Sequence, residues 1–163
     1  MTYRVCFVCT GNICRSPMAE SVFRARVAEA GLEDRVEVGS AGTGGWHEGD
    51  PADPRAVSVL AEHGYDGEHV ARQFQPSWFA RLDLVIALDS GHLKALRRLA
   101  PTEEDALKVR LLRSYDPAAG GDLDVPDPYY GHRDGFEECL AMVEAASTGL
   151  FAAVRGRLEG RAA

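Results

Sequence analysis

Residues 3–17 read Tyr3-Arg4-Val5-Cys6-Phe7-Val8-Cys9-Thr10-Gly11-Asn12-Ile13-Cys14-Arg15-Ser16-Pro17. The run from Tyr3 to Cys9 is short, apolar and β-branched, which predicts a buried strand. Thr10 to Arg15 turn the chain. Ser16 before Pro17 predicts a helix N-cap with proline at the first helical position, where its missing N–H costs nothing. Ala19, Val22, Phe23, Val27 and Ala30 then share one helical face, and Gly31 supplies the stop.

The alternation continues outward from this unit. Residues 36–39 suit a second strand, and 54–63 a helix with Val57, Leu60 and Ala61 inward, closed by Gly64. Leu84-Val85-Ile86-Ala87-Leu88 is unbroken apolar sequence, as a central parallel strand covered on both faces requires. A helix over 91–99 stops before Pro101, and 108–112 suit a fourth strand. Residues 114–133, rich in Asp, Pro and Gly, lack periodicity and form a long loop; such loops inside compact domains are usually functional. The last helix, about 135–157, aligns Phe136, Leu140, Val143, Leu150, Val154 and Leu158, with Gly149 as a point of bending. Strands alternating with helices imply right-handed crossovers and a doubly wound parallel sheet, whose ligands bind beyond the carboxyl ends of the strands. The loop 9–16 lies at that edge.

The whole chain sets the frame for that loop. Its 163 residues suit a single domain, 1–163, able to bury a core without disulfides or metal. No apolar run approaches the roughly 20 residues of a membrane span, so no membrane association is expected. The N-terminus lacks a secretory cleavage pattern, which points to the cytoplasm. Of the four cysteines, Cys6, Cys9 and Cys14 crowd together and Cys139 stands alone, a pattern better suited to reactivity than to stapling. A net charge of -7 without a basic stripe argues against nucleic acid. Only Lys94 and Lys108 of the eighteen basic residues are lysine, which suggests a GC-rich, bacterial coding sequence.

The five residues between Cys9 and Arg15 let successive backbone N–H groups aim at one centre, with Gly11 and Asn12 tolerating left-handed angles. A phosphate fits such a nest. The following helix adds its positive end, and the Arg15 guanidinium can grip two oxygens at once. The same field favours a thiolate at Cys9, to which Ser16 can donate a hydrogen bond. A thiolate attacking phosphorus needs an acid for the leaving group, and Asp116, Asp122, Asp124, Asp127 and Asp134 all lie in or beside the acidic loop. Chemistry alone does not choose among them, although Asp127 is stiffened between Pro126 and Pro128 and adjoins Tyr129 and Tyr130.

As core fillers, Cys9 and Cys14 leave Gly11, Asn12, Arg15 and Ser16 unexplained. Cys6 and Cys9 form a C-x-x-C, but strand residues three apart face opposite sides, which rules out a redox pair. The cysteine spacings match no usual zinc site, and His47, His63, His69, His92 and His132 are taken individually as surface or packing residues.

Together, VCFVCTGNICRSPMAE and the distant DPYYG resemble the low-molecular-weight protein tyrosine phosphatases over essentially the whole chain, including Ser40-Ala41-Gly42-Thr43, Trp46 and Asp53-Pro54-Arg55. The fold expected is α/β: a doubly wound, four-stranded parallel sheet of flavodoxin-like order 2-1-3-4 with helices on both faces. The resemblance implies hydrolysis of phosphotyrosine and small aryl phosphates through a phosphocysteine, with Cys9 as nucleophile, Arg15 as phosphate clamp and Asp127 as general acid. It implies phosphate binding by Thr10, Gly11, Asn12, Ile13, Cys14, Arg15 and Ser16, and loop support from Asn12, Ser40 and His69. Trp46, Tyr129 and Tyr130 become aromatic walls over an Ile13 floor, and Cys14 a resolving thiol for oxidised Cys9. Tyr129 or Tyr130 could themselves be phosphorylated. No cofactor or metal is implied; the partners are phosphotyrosine-containing proteins, and the chain is expected to be a monomer or weak dimer. Many relatives carry Asn near His92, in Asp89-Ser90-Gly91-His92.

An arsenate reductase of this fold would need a further relay pair of cysteines, and none lies between Cys14 and Cys139. A non-catalytic phosphotyrosine-binding module would not need both nucleophile and acid. A P-loop nucleotide hydrolase would need a Gly-Lys-[ST] element, which is lacking.

Overall fold

Alternation along the first strand sorts its side chains between two cores. In the computed structural model, which describes residues 2–162, β1 (Tyr3–Cys9) points Tyr3, Val5, Phe7 and Cys9 into one apolar cluster and Cys6 and Val8 into another. The first cluster is closed by α1 (Arg15–Glu29), α2 (Pro54–Glu62) and α5 (Arg133–Ala162), where Phe7 meets Phe23 edge to face at 5.6 Å. The second is closed by the 3-10 turn Pro76–Ala80 and α3 (Ser90–Leu99). Cys6 and Cys9 therefore lie on opposite faces of the sheet.

β2 (Val36–Gly42), β3 (Leu84–Ala87) and β4 (Val109–Leu111) pair parallel with their neighbours in the order β2-β1-β3-β4. This is the expected 2-1-3-4 sheet with helices on both faces. The winding reverses between β1 and β3, so a crevice opens at their carboxyl ends. Cys9 ends β1, and Asp89 follows β3 by two residues.

Several boundaries differ from expectation. α1 begins at Arg15, one residue ahead of the expected cap, with Cys14 at the N-cap and no side-chain cap bond. The Ser16 hydroxyl lies 2.9 Å from the Cys9 sulfur instead, and Pro17 falls at the third helical position, where its N–H would still lack an intrahelical partner. β2 runs on to Gly42 rather than ending at 39. α5 does not break at Gly149: a Cβ there would meet the Tyr115 carbonyl oxygen at 2.0 Å, so glycine serves close approach of the 3-10 turn Leu112–Tyr115. That turn, Pro76–Ala80 and α4 (Glu103–Ala106) are too short to leave a periodic signal.

Residues Arg133–Gly160 of α5 have the length and hydropathy of a membrane-crossing helix, which no apolar run in the sequence suggested. Its apolar stripe, including Phe136, Leu140, Val143 and Leu150, is nevertheless buried in the larger core, against α1 and α2.

Candidate active site

The bend of the loop after β1 rests on one residue. Asn12 has φ +59°, the one non-glycine residue with positive φ among those described. Gly11 is not left-handed, contrary to expectation; a Cβ there would meet the His47 ring at 2.9 Å, a side chain able to swing aside. Asn12 is held from four sides. Its carbonyl accepts from His69 Nε2 at 2.7 Å, its Oδ1 from the Arg72 N–H at 3.0 Å, and its Nδ2 donates to Ser16 Oγ at 2.8 Å and Ser40 Oγ at 3.0 Å. The Arg72 N–H fixes which way the amide faces. Ser40 Oγ donates to Glu20 Oε1 at 2.5 Å. Ser16 Oγ, accepting from Asn12, lies 2.9 Å from the Cys9 sulfur and 3.5 Å from the Ala41 carbonyl; when the sulfur is a thiolate it can only accept, and the hydroxyl then stabilises the negative charge there. Burial pulls the His69 pKa down, consistent with a neutral ring donating through Nε2.

Arg15 opens α1 and is only 3% exposed. Its Nη1 donates to Asp89 Oδ2 at 2.8 Å and to the Val125 carbonyl at 2.9 Å, and its Nη2 lies 3.7 Å from Asp127 Oδ2. Burial works against ionisation of Asp89, but the His92 N–H and the Arg15 guanidinium outweigh it and hold the carboxyl below its usual range. His92 Nε2 faces the Thr10 hydroxyl at 2.8 Å and Arg15 Nη2 at 3.5 Å. Arg15 Nη2 can only donate, which assigns the ring proton to Nδ1 and leaves Nε2 to accept from the Thr10 hydroxyl; Nδ1 lies 3.2 Å from Asp89 Oδ1 but off a hydrogen-bonding line.

These groups meet at a cleft of about 290 Å³ lined by the loop residues Cys9, Thr10, Gly11, Ile13, Cys14 and Arg15, and closed by Trp46, His47, Asp127, Tyr129 and Tyr130. Trp46 is 76% exposed at the rim, and the Tyr129 and Tyr130 rings meet edge to face at 5.0 Å. Asn12, Ser16, Ser40 and His69 stand behind the loop instead of lining it. Of the five candidate acids, Asp127 alone lines this cleft; Asp124 binds the Ser90 N–H, and Asp116 and Asp122 close their own turns. Burial, reinforced by Asp53 and Cys9, pushes the Cys14 thiol far up and keeps it protonated. Cys6 and Cys139, buried in the cores, are each pushed up to about 12 by desolvation. Among the described residues, no group of three or more His, Cys, Asp or Glu side chains could hold a metal ion.

The sequence alone does not single out Asp89, His92, Glu20 and His47 as site residues. Asp89 carried a usable signal, since it follows an unbroken apolar strand and so falls at the binding edge of the sheet. The other three announce themselves only through residues distant in sequence.

Residues 4–159 match the model of the family described as low molecular weight phosphotyrosine protein phosphatase. The chain is 80% identical to a low molecular weight protein-tyrosine-phosphatase of Streptomyces coelicolor, over the full length of both. It is 51% identical to low molecular weight protein-tyrosine phosphatase A of Mycobacterium tuberculosis, across 94% of this chain and 93% of that one. A protein tyrosine phosphatase from Entamoeba histolytica, crystallised with Hepes in its active site, superposes with a TM-score of 0.91 at 32% identity, covering 98% of this chain and 99% of that chain.

Proposed function

The chain belongs to the low molecular weight phosphotyrosine protein phosphatase family and is a cysteine-dependent hydrolase of phosphotyrosine, and on that premise we propose that Cys9, Arg15 and Asp127 carry out the reaction. The observation that carries this assignment is their convergence on one cleft, with the Ser16 hydroxyl 2.9 Å from the Cys9 sulfur. The phosphoryl dianion docks against the backbone N–H groups of the loop from Thr10 to Ser16, at the positive end of α1. Arg15 clamps it, braced from behind by Asp89 and Val125.

Two displacements follow. The Cys9 thiolate attacks phosphorus, the bond to the phenolic oxygen breaks, and that oxygen takes the Asp127 proton. Asp127, now a carboxylate, removes a proton from water, which attacks phosphorus; the S–P bond breaks and phosphate leaves the regenerated thiolate, again stabilised by Ser16. Ile13, Trp46, Tyr129 and Tyr130 form a slot for an aromatic ring. Peroxide would oxidise Cys9 to a sulfenic acid, which Cys14 can condense with, losing water, to give a reversible disulfide.

Aryl phosphate hydrolysis in the presence of a chelator tests the assignment. Cys9→Ser is expected to abolish turnover. Asp127→Ala should lower kcat/KM on phosphotyrosine by about 10²–10⁴-fold while Cys9 remains open to alkylation. Full activity of Cys9→Ser would end the reading, and equal rates on phosphotyrosine and phosphoserine peptides would remove the role of the aromatic slot.

By the same proposal the protein is one domain over 1–163, acting in the cytoplasm of a bacterium as a monomer or weak dimer, without a cofactor. Four free thiols support a reducing compartment, and the arginine bias supports a GC-rich source. Sedimentation at micromolar concentration distinguishes monomer from dimer.

A further inference from the structure

Asp127 sits in a segment with little regular structure, so its distance from Cys9 must be set by anchors on either side. The upstream anchor is Val125, whose N–H donates to the Leu88 carbonyl at 2.9 Å and whose carbonyl accepts from Arg15. The downstream anchor is Arg55. Its Nη2 donates to the Tyr129 carbonyl at 3.0 Å and its Nη1 to the Gly131 carbonyl at 3.1 Å, while the guanidinium lies 4.6 Å from the centre of the Phe136 ring. Pro126 and Pro128 stiffen the short span between the two anchors.

Arg55 is itself tied to the phosphate loop. Nε and Nη2 form a fork on the two Asp53 oxygens at 3.0 and 2.9 Å, and the Asp53 N–H donates to the Ile13 carbonyl at 2.8 Å. Asp53 also caps α2, accepting the Arg55 N–H. A continuous strut thus runs from Ile13, inside the nucleophile loop, through Asp53 and Arg55 to the backbone two and four residues past Asp127.

We propose that Arg55 is a positioning residue for the general acid: through the Tyr129 and Gly131 carbonyls it holds Asp127 at protonating distance from the leaving oxygen, using Asp53 as its footing on the nucleophile loop. This rests on the reading of Asp127 as the acid. Arg55 touches neither the nucleophile nor the phosphoryl group, so its loss acts on leaving-group protonation and spares attack by Cys9. A lysine cannot replace it, because one ammonium cannot serve a carboxylate fork and two carbonyls in a plane.

The test is kcat/KM, which reports steps up to leaving-group departure, measured on phosphotyrosine and on a dinitrophenyl phosphate whose leaving group needs no proton. Wild type, Arg55→Ala, Arg55→Lys, Asp127→Ala and the double variant Arg55→Ala/Asp127→Ala are compared. Arg55→Ala is expected to lose about 10–100-fold on phosphotyrosine, the scale of an ångström of misplacement, and less than about threefold on the activated ester. Arg55→Lys should show the same selectivity, smaller in size. The double variant should be no worse than Asp127→Ala alone, because an absent acid cannot be misplaced. Equal loss on both substrates, or additive losses in the double variant, would overturn the role of Arg55. If Asp127→Ala itself discriminates no better than wild type, the acid assignment fails and the proposal falls with it; if Asp127→Ala discriminates and neither Arg55 variant does, only the proposal falls. Thermal melts and Cys9 alkylation identify an unfolded Arg55→Ala, and the lysine variant then carries the comparison.

Discussion

Burial takes the His92 ring out of water beside Arg15, and those two causes push its pKa down to about 4 against the opposing pull of Asp89, Asp127 and Asp124. The folded protein therefore refuses a proton that the unfolded chain accepts at about pH 6.5. As pH falls from about 6.5 to about 4, the unfolded state binds more protons and stability declines; above that window His92 contributes no pH dependence. The full loss approaches roughly 3 kcal/mol, taking the shift at about 1.4 kcal/mol per unit. His92→Asn removes the titrating ring while leaving an acceptor for Thr10, so its stability should fall much less over the same interval. Urea unfolding of both proteins at pH 7 and pH 4.5 checks this. Parallel losses would mean that other groups, not His92, set acid sensitivity.

α5 carries the plainest test at the scale of an element, because two of its glycines do opposite things. At Gly149 a Cβ would meet the Tyr115 backbone oxygen at 2.0 Å, and backbone cannot swing aside like the end of a side chain. At Gly156 it meets nothing within 4 Å. Alanine in place of glycine gains about 1 kcal/mol of helix propensity at either site. At Gly149 overpacking of about 1–3 kcal/mol opposes that gain and should exceed it. Gly149→Ala is thus expected to melt a few degrees lower than wild type and Gly156→Ala about 2–4 °C higher, on the usual conversion for this chain length. Shifts of the same sign would refute the contrast. The sequence pattern locates α5 through its apolar stripe but misreads Gly149 as a bend, because glycine in a helix does not say which neighbour needs the space. The β1–loop–α1 unit is far more legible, since its strand, turn and helix signals lie within contiguous residues. Even there Ser16 passes for a cap, since its partner Cys9 competes with the backbone for the same hydroxyl.

Across the whole molecule, what is legible is what is local. The nucleophile, the clamp and the curve between them lie in residues 9–16, whereas the groups that brace them arrive from far along the chain. Asp89 is 74 residues from Arg15, His92 is 82 from Thr10, and Val125 is 110 from Arg15. Arg15 is thereby both the anion clamp and the joint between α1, the end of β3 and the acid segment, and the two duties are separable. An oxyanion such as tungstate, at about 100 times its dissociation constant, should stabilise the folded protein by about 2.7 kcal/mol, or roughly 5–10 °C in Tm. Arg15→Ala should erase that shift and also lower the basal Tm, since Asp89 keeps a half-buried charge without its cation, at a cost of about 1–3 kcal/mol. Adding Asp89→Asn removes the stranded charge, so Arg15→Ala/Asp89→Asn should recover much of the basal Tm and none of the oxyanion response. Melting curves of the three proteins with and without tungstate decide the matter. If the double variant regains the tungstate shift, the anion is held by the backbone cradle alone; if it stays as unstable as the single variant, Asp89 was never the group that Arg15 neutralises.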